Sequence, residues 1–401
     1  MNTAWLLPLE PFESRYTGQW YREFPKVFAQ KYNVQVIDGT PLSDSIDVGS
    51  WLPMNSTVHY KNTQVATMAK MFQEGKVKDD DIVFSFDLEH WGIEAIKMMA
   101  QINNKNIRIY AFLHAASYTH EDLMEQLAPW QKYTELGWLS ICDKVFVGSE
   151  YHKHAVIERR IRPYANKDDW MLLSDKIIVT GNPLFKSEYA GVTSFKRTFD
   201  TSGENVIFTS NKINKIIMPN RFDYEKRPNI SLDIAAILKS KHPDWEFVIT
   251  TSNKELKSNQ AWLIEKAHLM EKQGIITIKE GLTKKQYHEE IATSKVMLTN
   301  SIEENFGYCL AEALYYDTIP VAPRGLSHDE IVPHQCLFDG TDDAIQKIEM
   351  VMSGVMRFPK GETVLTRFFD APQRIVNETI KDTTANEPKN KKGQSKGLLD
   401  L

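Results

Sequence analysis

Two glutamates eight positions apart, Glu304 and Glu312, flank a Phe306-Gly307 pair directly after the apolar run Val296–Leu298. The pattern predicts a strand, a loop and a helix opened by Gly307. The first amides of such a helix have no intrahelical acceptor and sit at its positive dipole end, a seat for a phosphate. One carboxylate precedes the helix and the other lies inside it, so the pair could accept hydroxyls from the two ends of one ligand. A nucleotide sugar has that outline: sugar hydroxyls, a diphosphate, a ribose diol. A plain helix with an acidic first turn and one solvated glutamate would read the same.

A second segment bears on that choice. Lys215–Pro228 is a short β-branched strand running into a loop with Arg221 and Lys226. Both cations then stand at a strand's carboxyl end, the ligand-binding edge of an open α/β sheet. A planar fork and a point charge suit a diphosphate whose charge grows as its bond to a sugar breaks. Asp223 and Glu225 in the same loop leave open a solvated basic turn paired with its own acids.

With these segments in place, the chain resembles retaining glycosyltransferases of family four, which have the GT-B fold. The resemblance implies an α/β architecture of two facing Rossmann-like, doubly wound domains with a cleft between them. Arg221 and Lys226 match the family's diphosphate contacts, and Glu304, Phe306, Gly307 and Glu312 match its glutamate pair. By that likeness Glu304 holds the donor sugar and Glu312 the ribose. The backbone from Gly307 through Tyr308 and Cys309 to Leu310 takes the phosphate, with Asn305 beside it, and the base rests on backbone near Ile278–Gly281. Asn220 stands where relatives have glycine, a departure at the loop that must approach the phosphates.

The N-terminal half should supply the acceptor side. Between the first strand and first helix lies Glu10–Trp20, where relatives carry a glycine-rich loop and this chain retains only Gly18. Glu10, Arg15 and Tyr16 are candidate contacts there, against the alternative of a structural turn with an internal Glu–Arg pair. Two further strand ends are polar: Asp87, Glu89, His90 and Trp91 after one apolar run, His114 after another. His114 matches a histidine that relatives place beside the donor sugar. Helix capping competes with a site role for Asp87 and Glu89.

Those residues need strands and helices in alternation, and the chain provides them throughout. The looser stretch after Gly181 suggests an acceptor-side domain over 1–190, a nucleotide-sugar domain over 191–382 and a disordered polar tail over 383–401. At 401 residues, 42% hydrophobic and 25% charged, the chain is ordinary globular material. A net charge of −5 excludes a uniformly basic nucleic-acid coat. Cys142, Cys309 and Cys336 lack metal or disulfide spacing, which suggests reduced thiols and a cytoplasmic protein, in the host cytoplasm if phage-encoded. No apolar run is long enough to span a membrane, and no protein partner is implied.

The family likeness implies a retaining transfer without a metal, in which fixed cations and a helix terminus hold the departing diphosphate. The opening Pro8–Trp20 and the strand end Ile109–Tyr118 are similar to glycosyltransferases of bacteriophage genomes, one of whose tasks is glycosylating a hydroxymethylated pyrimidine in double-stranded DNA. Lys153, His154, Arg159, Arg160, Arg162 and Lys167 could then contact phosphates, and Trp20, Trp91, Tyr118, Trp130 and Trp138 supply aromatic surface. A polysaccharide, lipid or small-molecule acceptor stays open. So do a nucleotide-sugar epimerase and a non-catalytic sugar-nucleotide binder.

Overall fold

The computed structural model describes residues 1–13, 15–42, 53–121, 123–199, 206–356 and 361–384. Short strands, the central ones rich in branched and aromatic residues and buried on both faces, form two all-parallel sheets with helices on either side, as parallel pairing requires. The first holds β1 (Thr3–Leu7), β2 (Asn33–Val36), β3 (Ile82–Ser85), β4 (Arg108–Phe112), β5 (Lys144–Val147) and β6 (Ile177–Val179), in the order β2-β1-β3-β4-β5-β6. An antiparallel pair, β7 (Phe195–Phe199) and β8 (Val206–Ser210), follows. The second sheet holds β9 (Ile213–Met218), β10 (Glu246–Thr250), β11 (Thr277–Lys279), β12 (Ser294–Leu298), β13 (Ile319–Pro323) and β14 (Leu337–Phe338), in the order β11-β10-β9-β12-β13-β14.

Each order reverses once, between β1 and β3 in the first sheet and between β9 and β12 in the second. Loops leaving adjacent strands in opposite directions open a crevice at that point, beyond the carboxyl ends. The four loops at the two reversals carry Glu10–Arg15, Phe86–Trp91, Pro219–Lys226 and Thr299–Gly307, so topology alone gathers most of the candidate residues.

One face of the first sheet is covered by an aromatic cluster in which Trp20, Phe24, Phe28, Phe84, Phe86, Phe112 and Phe146 are fully buried. Burying each phenyl ring is worth about 1.5–3 kcal/mol. Ile375 and Val376 complete that cluster from the helix Ala371–Thr384, near the end of the chain. Tyr32 Oη lies 3.0 Å from Thr379 Oγ1, and Lys144 pairs with Glu378 at 3.0 Å. The last helix therefore packs on the first sheet, whereas a division at 190/191 had assigned residues 371–382 to the second domain. Of the tail expected over 383–401, Thr383 and Thr384 close this helix, and 385–401 lie outside the described residues.

Candidate functional site

A cavity of about 1020 Å³ opens between the two sheets. Its first-domain wall includes Phe12, Arg15, Tyr16 and Gln19. The second-domain wall includes Asn220, Arg221, Thr251, Asn253, Lys284, Tyr308, Cys309 and Glu312. Arg15 precedes the helix Tyr16–Phe28 and Gly307 precedes the helix Tyr308–Tyr315, so two helix N-termini face each other across the gap. Tyr16 and Tyr308, the first residue of each helix, stack with ring centroids 4.9 Å apart and planes 6° from parallel. Gly307 has φ +84°, and a β-carbon there would fall 2.8 Å from Leu310 Cδ1, so glycine is required to open the second helix.

Arg15 and Arg221 bring like charges from opposite domains to the same gap. Burial, and after it the positive charge of Arg221, lower the Arg15 guanidinium to about 10. Arg221 donates to Glu225 at 2.7 Å and lies 3.7 Å from Asp223. Beside it Lys226 donates to Glu304 Oε2 at 2.9 Å and to the Glu303 carbonyl at 3.3 Å. Burial opposes the charge on both members of this pair, but each holds the other ionised: Lys226 is raised and Glu304 lowered from their ordinary values. An anion seated here would meet three cations from two domains, with a carboxylate one ion pair away.

In the cavity wall Glu312 accepts from Lys284 Nζ and from the Tyr287 hydroxyl, both at 2.7 Å. Burial would raise this carboxyl; the Lys284 charge and the His288 hydrogen bond more than reverse that, to about 2. A depressed carboxyl contributes stability that is complete above its ordinary value of 4.5 and lost only as pH falls through about 2. The contribution is therefore flat from pH 5 to 8. Lys284→Met strands the charge: at neutral pH the variant should lose about 3 kcal/mol. Burial then dominates, and the urea midpoint should fall as pH rises from 4 to 7, the reverse of the wild-type sign.

The first-domain candidates divide. Tyr16 and Arg15 line the cavity. Asp87 and His114 lie just behind Tyr16: burial and then the Asp87 charge raise the Tyr16 hydroxyl, and the Tyr16 and His114 rings are 5.0 Å apart. Asp87 pairs with the buried Lys61 at 2.7 Å, and that ammonium sits 4.9 Å from the Trp91 ring centre. His114 Nε2 donates to the Phe86 carbonyl at 2.8 Å, and burial lowers the pKa of the ring. Glu89 instead accepts from Gln131 at 2.6 Å.

Other candidates have structural partners. Glu10 is buried, accepting from Ser56 and Thr57 hydroxyls at 2.7 and 2.8 Å, and so fixes the start of the helix Met54–Gln73. His90 is buried against Gln64 at 3.0 Å, with burial lowering it to about 3. Gly18 lies within the first helix, where a β-carbon would meet the Phe12 carbonyl oxygen at 2.8 Å; its role is to let the preceding loop pack closely. Phe306 and Leu310 belong to the second domain's core. The Ile278 amide is taken by Glu271, and the cavity wall from that segment is Gly281–Lys284. Asn220, in glycine's expected place, accepts from the Cys309 thiol at 3.0 Å and donates to Thr299, so its amide joins two walls of the site. Burial raises the Cys309 thiol to about 12, which makes it inert as a nucleophile at neutral pH.

Three of the six residues in the basic cluster are committed to carboxylates. Arg160 is buried against Glu135 and Ser117, Arg159 pairs with Glu303, and Arg162 pairs with Glu158. Trp20 and Trp138 are buried in the core, whereas Trp130 is exposed. Lys61, Lys284 and Tyr287 are not among the residues the sequence singles out, and Arg159 is singled out for a different partner, because each acts on an acid far away in the chain. No local pattern marks them.

Two six-stranded parallel sheets meeting at such a cleft define the GT-B fold, and solved structures agree. The chain superposes on sucrose-phosphate synthase from Thermosynechococcus elongatus with a TM-score of 0.66, at 13% identity, over 96% of this chain and 100% of that one. A lipopolysaccharide outer core galactosyltransferase gives 0.60 at 14% identity, over 96% and 100%. At these identities the likeness concerns fold. Residues 204–353, less than half of the chain, match the family model described as Glycosyl transferases group 1. Among curated proteins, the tRNA-queuosine alpha-mannosyltransferase of Drosophila melanogaster is 27% identical over 146 residues, which are 36% of this chain and 37% of that relative. The alignment thus spans little more than a third of either protein. Among the described residues, no helix is long and apolar enough to cross a membrane.

Proposed function

We propose that this protein transfers a sugar from a nucleoside diphosphate donor to a hydroxyl acceptor, with retention and without a metal. The observation that carries the reading is the facing of Arg15 and Arg221 across one cavity that Glu312 also lines, with the Lys226–Glu304 pair close enough to Arg221 to feel its charge. In this reading the diphosphate lies between the guanidiniums, the sugar meets Glu304, and the ribose exchanges hydroxyls for the Lys284 and Tyr287 contacts on Glu312. Negative charge accumulating on the leaving diphosphate is met by cations already in place, which need no reorganisation as the bond breaks. The acceptor enters over Asp87 and His114, and a phosphate oxygen takes its proton.

For the acceptor, the reading is a hydroxyl on a modified base of nucleic acid, specifically a 5-hydroxymethylpyrimidine in DNA. Its support is the resemblance of the first-domain strand ends to phage enzymes, together with a curated relative whose name places its sugar on a tRNA nucleoside. The commitment of Arg159, Arg160 and Arg162 to carboxylates favours a second reading, a small soluble acceptor. The test is incubation with a panel of nucleotide sugars and either hydroxymethylcytosine-containing or unmodified DNA, with and without chelator, followed by mass spectrometry. Sugar mass is expected on the hydroxymethylated DNA alone, undiminished by chelator. Donor cleavage without DNA labelling would support the small acceptor, and donor epimerisation without acceptor would overturn the transferase reading.

A further inference from the structure

Glu304 is flanked in sequence by two residues that reach into the other domain. On one side the Glu303 carboxylate, buried within the second domain, accepts from the Tyr151 hydroxyl at 2.8 Å and from Arg159 Nη1 at 3.0 Å. Arg159 also donates to the Tyr151 hydroxyl at 3.2 Å, closing a three-member ring of contacts. On the other side the Asn305 carbonyl accepts from the Ser149 hydroxyl at 2.8 Å, and its side-chain amide donates to the His114 carbonyl at 2.9 Å. Glu330 adds a third strut, accepting from the amides of Glu150 and Tyr151. Between these flanks Glu304 turns back to Lys226 of its own domain, and Lys226 also donates to the Glu303 carbonyl.

The local fold explains why the first domain presents these groups here. Ser149 caps the helix Glu150–Val156, which continues through a π-helical turn at Ile157–Ile161. Consecutive positions of a helix point about 100° apart, and the two arginines diverge accordingly: Arg160 inward to Glu135, Arg159 outward to Glu303.

We propose that Arg159 and Tyr151 are positioning residues for Glu304. By gripping Glu303 they fix the backbone on which the sugar-facing carboxylate stands, so Glu304 is set for transfer only while the first domain is docked. Opening the cleft releases Glu303, and with it the Glu304–Lys226 geometry. Donor breakdown is thereby confined to the closed form, from which water is excluded. This rests on the transferase reading for its consequence, though not for its geometry.

The test compares wild type with Arg159→Met, Arg159→Lys and Tyr151→Phe. Donor turnover, the Kd for UDP and GDP by calorimetry, and the radius of gyration by X-ray scattering are the three readouts. Arg159→Met should lower kcat on the order of 10²-fold, the scale of a 1 Å misplacement at a reacting centre. The Kd for the nucleoside diphosphate should rise much less than kcat falls, because Arg221, Lys284 and Glu312 line its cavity from the second domain and do not depend on Glu303. Scattering should show a more open particle. Arg159→Lys should recover part of kcat, and Tyr151→Phe should show a smaller loss of the same kind. Unchanged kcat and unchanged scattering in both Arg159→Met and Tyr151→Phe would overturn the proposal, as would a kcat loss matched by an equal loss of nucleotide affinity. If wild type turns over no donor at all, the transferase reading fails, and scattering alone decides whether Arg159 latches the domains.

Discussion

Lys226→Met should lower sugar transfer by about 10²–10³-fold in kcat, the usual cost of removing one fixed donor from a site of developing negative charge. The same change strands the Glu304 carboxylate, mostly buried and now unpaired, and should cost about 3 kcal/mol or more of stability. The two losses separate in the double variant Lys226→Met/Glu304→Gln. There the stranded charge is gone, so the melting temperature should recover most of its fall while transfer stays as low as in the single variant or lower. Thermal melts and steady-state rates on the same preparations check both halves. Transfer that survives in Lys226→Met would show the ammonium to be structural.

Arg160→Met should be the most damaging single change to stability outside the cleft. Its guanidinium and the Glu135 carboxylate are each only 3% exposed, and Ser117 is bound to both. Removing one partner leaves a buried charge uncompensated, at about 3–5 kcal/mol, a fall in melting temperature on the order of 10 °C for a protein of this size. The sequence placed Arg160 among phosphate contacts. In that role methionine would reduce salt-sensitive retention on DNA and leave the melt untouched, so one thermal scan distinguishes the two accounts.

That contrast shows what a sequence read alone carries and what it does not. The parallel alternation was legible because buried strands such as Ile82–Ser85 and Val296–Leu298 are continuous apolar runs between helical stretches, and the carboxyl-end loops followed from topology. Arg221, Glu304 and Glu312 were visible as local patterns beside Gly307. Partners were not. Nothing near Glu312 in the chain announces Lys284, and a run of basic residues on one helix gives no sign that three of them face acids at positions 135, 158 and 303. The strand β7 lies in the looser stretch after Gly181, where charged and small residues interrupt any clean alternation. Glu10 and His90 looked like ligand contacts because polar residues at strand ends serve equally to tie loops to helices.

The helix Ala371–Thr384 has a consequence for how the molecule is made. Its Ile375 and Val376 fill the aromatic face of the first sheet, yet they leave the ribosome only after the whole second domain has been synthesised. The first domain must wait with Trp20, Phe24 and neighbouring rings incompletely covered, against the usual order in which an N-terminal domain finishes folding first. Nascent chains released before residue 371 should therefore be captured by chaperones, and complete ones should not.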